Sequence, residues 1–199
     1  FDLLMQQHQQ GVWLAHSQKF PEDVRVGIMG LGHLGLYAAQ RFASMGYSVF
    51  GWARHRKDST GFMCYAGKEE LDDFLAHCDI LINLLPLTEL TQNILSTALF
   101  EQLPQGASLI HCGRGQHLVE TDLLQAIDAG KIRLAILDVT HIEPLPHEHA
   151  FWGHPHILVT PHISSSAPMR SVIQQVIENH HRLQQGLALN NLVDGLQGY

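Results

Sequence analysis

The chain has 199 residues, of which 45% are apolar and 16% charged. That is enough for one packed domain and part of another, and too apolar for an intrinsically disordered chain. Twelve Lys and Arg against nineteen Asp and Glu give a formal charge of −7, which argues against a nucleic-acid partner because such binding needs a basic face. No apolar run reaches the ~20 residues of a membrane span, and no charged-then-apolar leader opens the sequence. Cys64, Cys78 and Cys112 are too widely spaced for a disulfide framework or a CxxC metal site, so a reducing cytoplasm is the expected setting.

Residues 1–10 (FDLLMQQHQQ) read as a helix, and a polar connector runs from there to Phe20-Pro21. Val24 to Met29 is a short apolar run closed by Gly30, the pattern of a buried strand. Residues 34–45 place Leu34, Ala38, Phe42 and Met45 at helical spacing, and 47–52 form a second strand. Residues 68–77 read as a helix with Leu71, Phe74 and Leu75 on one face, and 80–85 as a strand stopped by Pro86. Residues 96–103 form a short helix and 107–111 a strand. Thr121 is placed to cap a helix that Gly130 ends. Strands follow at 134–139 and 157–160, and then an amphipathic helix at 169–185 carrying Val172, Ile173, Val176, Ile177 and Leu183. Strands alternating with helices of this length predict an α/β fold of the Rossmann type. Its doubly wound parallel sheet is covered on both faces and binds ligands at the carboxyl ends of its strands.

Gly30-Leu31-Gly32-His33-Leu34-Gly35 is a GxGxxG motif that leaves a predicted strand and opens a predicted helix. The glycines permit a tight turn and close approach to a pyrophosphate, and the helix N-terminus offers N–H groups and positive potential. The alternative is a glycine-rich turn with no ligand. A protein preferring NAD carries Asp or Glu ~20 residues beyond this loop. Here the second strand ends in Arg54-His55-Arg56-Lys57, with no acid. A guanidinium can hold a 2′-phosphate through two parallel bonds, so NADP(H) is the preferred dinucleotide, with NAD(H) possible. The alternative is a solvated basic loop.

Three later segments each follow a predicted strand and can project onto the same rim: 111–115 (HCGRG), 137–146 (LDVTHIEPLP) and 159–164 (VTPHIS). Taken singly, Arg114 could be a surface residue, Glu143 a turn residue before Pro144, and His162 a polar residue after Pro161. The sequence also holds 15 histidines. The densest stretch, His147 to His162, shows no HExxH pattern and has no cysteine nearby, so it reads as a His-rich polar loop rather than a metal site.

Taken together, GIMGLGHLG, LINLLPLT, RGQHLVETDLL, EPLP and TPHIS resemble the D-isomer-specific 2-hydroxyacid dehydrogenase family, and within it the glyoxylate/hydroxypyruvate reductase branch. The likeness runs from Val24 to the C-terminus. It implies Arg114 as the substrate-carboxylate binder, His162 as the proton donor and Glu143 as its partner. It further implies Leu85 and Pro86 packed near the cofactor, Asp138 on the nicotinamide amide, and Cys112 and Gly113 approaching the ribose side by backbone. The chemistry agrees with these roles. Histidine has an ordinary pKa of ~6.5, a neighbouring carboxylate favours its charged form, and arginine grips a planar carboxylate bidentately.

Family members carry a further N-terminal stretch that forms most of a substrate-side lobe and closes the cleft. The expected division is therefore a linker helix and connector at 1–20, the dinucleotide-binding domain at 21–163, and a terminal helix and tail at 164–199 that would pack on that lobe. Thr140 stands where an aromatic is common, and Ser164–Ser166 where small apolar residues are common. The expected activity is reduction of glyoxylate or hydroxypyruvate with NADPH. The alternative is a chain that binds NADP(H) without turnover. The resemblance also implies a homodimer.

Overall fold

The computed structural model describes residues 2–15, 17, 19–57 and 61–192. The chain divides into two compact units, Phe1–Pro161 and His162–Tyr199. His162, expected in the dinucleotide-binding domain, falls in the second unit.

The first unit is built on β1 (Arg25–Met29), β2 (Ser48–Ala53), β3 (Met63–Ala66), β4 (Ile80–Asn83), β5 (Ala107–His111), β6 (Ile132–Leu137) and β7 (Ile157–Val159). Its helices are α1 (Asp2–Gln10), α2 (His33–Ser44), α3 (Leu71–Leu75), α4 (Thr97–Phe100) and α5 (Glu120–Asp128). The seven strands lie in the order β3-β2-β1-β4-β5-β6-β7, and every pairing is parallel. The chain winds outward from β1 through β2 to β3, then returns to pair β4 on the other side of β1. The β1/β4 boundary is thus the topological switch point, where the loops leaving the two strands separate and open a crevice.

The strands read as near-continuous apolar runs because both faces of the sheet are covered. In β1, Val26 and Ile28 enter one buried cluster with Ala39, Val49 and Ile82. Met29 enters the other, with Leu81, Leu109, Leu123 and Phe151. That alternation follows from the two-residue period of a strand. Burying a side chain the size of Ile28 stabilises the fold by about 2 kcal/mol.

Several element boundaries differ from expectation, for local reasons. The edge strand β3 was not expected, since its four residues carry no alternating pattern. They gain strand geometry by pairing Phe50–Ala53 of β2. The fourth strand stops at Asn83 rather than Leu85, because the Asn83 Oδ1 accepts the Leu85 N–H at 3.2 Å and turns the chain out of the sheet. The helices expected at 68–77 and 96–103 are confined to Leu71–Leu75 and Thr97–Phe100. Thr121 is not a cap. α5 begins at Glu120 after Val119, and the Thr121 hydroxyl donates to the Asp122 carboxylate at 3.4 Å.

The second unit contains α6 (Met169–Gln184). The chain after it folds back: Arg182 Nε donates to the Ala188 carbonyl at 2.6 Å, and Asn179 exchanges hydrogen bonds with Asn190.

Candidate active site

The glycine loop links β1 to α2. Gly30 has φ +99°, and a Cβ there would lie 2.8 Å from the Leu84 carbonyl carbon, so the loop packs directly on the chain leaving β4. A Cβ on Gly35 would lie 1.9 Å from the Gly30 carbonyl oxygen, so only glycine lets α2 start this close to the strand. Gly32 is different: nothing lies within 4 Å of a Cβ built on it. It occupies the N-cap of the twelve-residue α2, and no side chain caps the helix. The opening N–H groups, beside exposed His33 and Leu34, therefore face open space with the positive end of the helix dipole behind them. A helix N-terminus of this kind is suited to an anion.

Beyond β2, Arg54, His55, Arg56 and Lys57 are all exposed. Arg56 is engaged within the fold. It donates to the Cys64 carbonyl at 2.7 Å and pairs with Glu70, whose second oxygen accepts the Ala66 N–H at 2.7 Å. Arg56 therefore clamps the β3 edge. Among the described residues Arg54 makes no ion pair.

The rim continues across β4, β5 and β6. Leu85 is buried and Pro86 half-buried beside the glycine loop. Half-buried Cys112 and buried Gly113 follow β5, and the Cys112 N–H donates to the Asn83 carbonyl at 3.1 Å. Arg114 is exposed. Its Nη1 donates to the Gly113 carbonyl at 2.7 Å. A Cβ on Gly115 would lie 2.0 Å from the Thr140 carbonyl oxygen, so the loop carrying Arg114 rests on the loop carrying Glu143. Glu143 is exposed, and its Oε1 accepts the Thr140 N–H at 3.1 Å. Asp138 is buried, and its Oδ1 accepts the Thr160 hydroxyl at 2.6 Å. The first unit thus brings the glycine loop, Leu85, Pro86, Gly113, Arg114, Asp138 and Glu143 to one rim. His162 opens the second unit. It is exposed, with φ 52°, a left-handed conformation uncommon outside glycine.

Sequence reasoning missed what lies beneath Arg114. Asn83, His111 and His117 are fully buried together. Asn83 Nδ2 is 3.2 Å from His111 Nδ1 and 3.3 Å from His117 Nδ1. His111 Nε2 is 2.9 Å from the Arg114 carbonyl, and His117 Nε2 is 3.2 Å from the Pro86 carbonyl. The Arg114 N–H donates to His117 Nδ1 at 3.0 Å. Burial pushes the His111 pKa down to about 3, with neighbouring His117 adding to the shift, and the hydrogen bond to Arg114 opposes it only in part. Burial likewise lowers the His117 pKa, with the Arg114 charge adding to the effect. A signal for this cluster was present: ILIN and SLIH are apolar strands that each end in one polar residue.

Among the described residues no group of three His, Cys, Asp or Glu could hold a metal ion, and no helix is long and apolar enough to cross a membrane.

A doubly wound parallel sheet with a glycine-lined helix N-terminus at its switch point defines a dinucleotide-binding α/β domain. The family described as "D-isomer specific 2-hydroxyacid dehydrogenase, NAD binding domain" matches residues 1–164, and the chain belongs to it. A solved family member from Klebsiella pneumoniae 342 is 45% identical with a TM-score of 0.94, over 97% of this chain and 62% of that one. One from Xanthobacter autotrophicus Py2, solved with NADPH and MES, is 36% identical with a TM-score of 0.96, over 100% of this chain and 82% of that one. An NADPH-dependent glyoxylate/hydroxypyruvate reductase from Sinorhizobium meliloti, solved with NADP and sulfate, is 38% identical with a TM-score of 0.96, over 100% and 64%. The chain therefore spans less than two thirds of the length of the first and third of these relatives.

Proposed function

We propose that the whole protein is an NADPH-preferring reductase of small 2-oxo acids, with glyoxylate and hydroxypyruvate as substrates and glycolate and glycerate as products. The observation that carries this reading is the open, uncapped N-terminus of α2 at Gly32, at the switch point of the sheet and on the same rim as Arg114. The residues present fit the dinucleotide. Gly30 and Gly35 let the turn and α2 pack tightly on the strands, Gly32 leaves the start of the helix open to a diphosphate, and Arg54 supplies an uncommitted cation where a 2′-phosphate would require one. The relatives solved with NADPH or NADP support the same choice.

When bound, the dinucleotide supplies a hydride. The chain's own residues do the rest. Arg114 binds the substrate carboxylate and draws electron density from the adjacent carbonyl. His162 holds the proton that the developing alkoxide takes up, and Glu143 is assigned as its partner. Asp138 orients the nicotinamide amide, and Leu85, Pro86, Cys112 and Gly113 form the wall beside it. The free cysteines, two of them buried, fit a reducing cytoplasmic setting. A homodimer belongs to the same reading and is checked by sedimentation.

The test is NADPH oxidation by the full-length protein with each 2-oxo acid. Turnover is expected in the parent. It should fall at least a hundredfold in His162→Ala, the scale of a lost general acid, with NADPH affinity unchanged. Full activity in that variant would remove the role of His162. Tight NADPH binding with no turnover by the parent would replace the enzyme with a dinucleotide-binding module.

A further inference from the structure

The buried Asn83–His111–His117 cluster has one internally consistent arrangement of protons. Asn83 Oδ1 accepts the Leu85 N–H, which fixes the amide with Nδ2 toward the two histidines. The two Nδ2 hydrogens then point at His111 Nδ1 and His117 Nδ1, so both ring nitrogens must accept. Two backbone donors require the same: Gly113 N–H toward His111 Nδ1 at 3.4 Å, and Arg114 N–H toward His117 Nδ1. Each ring must therefore carry its proton on Nε2. Each Nε2 faces a carbonyl, Arg114 for His111 and Pro86 for His117. No donor meets a donor, and among the described residues no buried side-chain nitrogen or oxygen lacks a partner.

The two sides of this cluster serve different loops. Leu85 and Pro86 leave β4 beside the glycine loop, and Gly113 and Arg114 leave β5. We propose that Asn83, His111 and His117 are positioning residues that lock these two loops to each other. His117 holds the dinucleotide-side loop through Nε2 and the substrate-side arginine through Nδ1. The inference rests on the proposed function for the names of the two sides, but not for the geometry.

The two ends of His117 can be separated by substitution. Gln places an N–H near the former Nε2 and keeps the Pro86 contact, but offers no acceptor at Nδ1. Asn places an acceptor near Nδ1 and keeps the Arg114 contact, but cannot reach Pro86. The full-length protein is titrated with NADPH, and the NADPH-loaded protein with oxalate, a dicarboxylate that mimics the substrate's carboxyl end. His117→Gln should leave NADPH affinity unchanged and weaken oxalate about tenfold, the scale of one lost hydrogen bond at a charged site; His117→Asn should do the reverse. Equal losses in both variants, or none, would overturn the positioning role.

A second readout needs no ligand. In the parent at pH 7, imidazole ¹⁵N shifts should report Nε2–H and a bare Nδ1 for both His111 and His117. In backbone amide spectra, His117→Gln should move Arg114 most and His117→Asn the amides of Leu85 and Leu87. A protonated Nδ1 on either ring would overturn the inference. If the parent binds neither NADPH nor oxalate, the proposed function falls, and these shifts still decide the cluster. If a variant fails to fold, the parent's tautomers decide it alone.

Discussion

Acidification should destabilise this protein through His111 at a higher pH than through Asp79. Burial holds the His111 pKa near 3 in the native state, against 6.5 for an ordinary histidine. Between those values the unfolded chain binds a proton that the native chain refuses, so stability falls as the pH falls. It is complete above about pH 6.5 and is lost progressively toward pH 3. At about pH 4.5 the unfolded ring sits two pH units below its pKa, which costs about 3 kcal/mol at 1.36 kcal/mol per unit. His117 adds in the same direction, since its pKa is also lowered by burial. Asp79 is the carboxylate most open to confusion with this effect, because hydrogen bonds from Arg25 hold its pKa below 3.8. Its contribution is present above 3.8 and lost only below it, so pH 4.5 separates the two. The assay is urea denaturation of the parent and of His111→Gln at pH 7 and pH 4.5. The parent should lose at least 3 kcal/mol between the two conditions. The variant should start less stable, lacking the Nδ1 acceptor, and lose about 3 kcal/mol less. A variant as steep in pH as its parent would refute the assignment of a buried, neutral His111.

The glycine loop separates binding from folding. Gly32→Ala projects into open space and should leave stability within about 0.5 kcal/mol while weakening NADPH at least tenfold, read by thermal melts and by titration. Gly35→Ala drives a methyl into the Gly30 carbonyl and should cost about 1–3 kcal/mol of stability, so a thermal melt like the parent's would contradict the close approach. Replacing Arg54 and Arg56 together by Gln should weaken NADPH much more than NADH. In single variants the discrimination should follow Arg54, while Arg56→Gln, which unties Glu70 and Cys64, should lower stability. Equal loss of NADPH and NADH in the double variant would remove the basic segment from 2′-phosphate recognition.

The sheet and the glycine loop were legible because their causes are local. An apolar run bounded by glycine, followed by helical spacing, carries its own evidence, and β1, α2 and β5 fall within a residue or two of expectation. β3 was not legible, because its strand state comes from pairing with β2 rather than from its four residues. The ends of β4 and α5 were misplaced where a side-chain hydrogen bond or packing decided the turn: Asn83 on Leu85, and Val119 rather than Thr121 before the helix. The three cations after β2 looked equivalent in the sequence. Glu70 and the Cys64 carbonyl, fourteen and eight residues beyond Arg56, distinguish Arg56 from Arg54. His117 escaped for a related reason: among 15 histidines, nothing local separates this buried loop acceptor from a solvated side chain, whereas His111 at least closes an apolar strand.

The buried cluster also follows from how a parallel sheet ends. The ladder extends one residue past the strands: Leu84 donates to Met29, Cys112 to Asn83, Asp138 to His111 and Thr160 to Leu137. After that the backbones diverge toward the crevice, and their N–H and C=O groups need partners that neighbouring strands no longer supply. At this rim side chains supply them. Asn83 serves the loop after β4, the two histidines join that loop to the one after β5, and Glu143 accepts the Thr140 N–H beyond β6, while the Asp138 carboxylate ties that loop to the one after β7 by accepting the Thr160 hydroxyl. Gly30 against Leu84, and Gly115 against Thr140, close the remaining gaps by backbone contact. The rim is therefore a continuous series of short contacts running across the strands, from the glycine loop to Thr160. Residues within one such series do not contribute independently. Paired substitutions at Asn83 and His117 should cost less than the sum of the single ones, because the first already leaves the partners of the second unpaired.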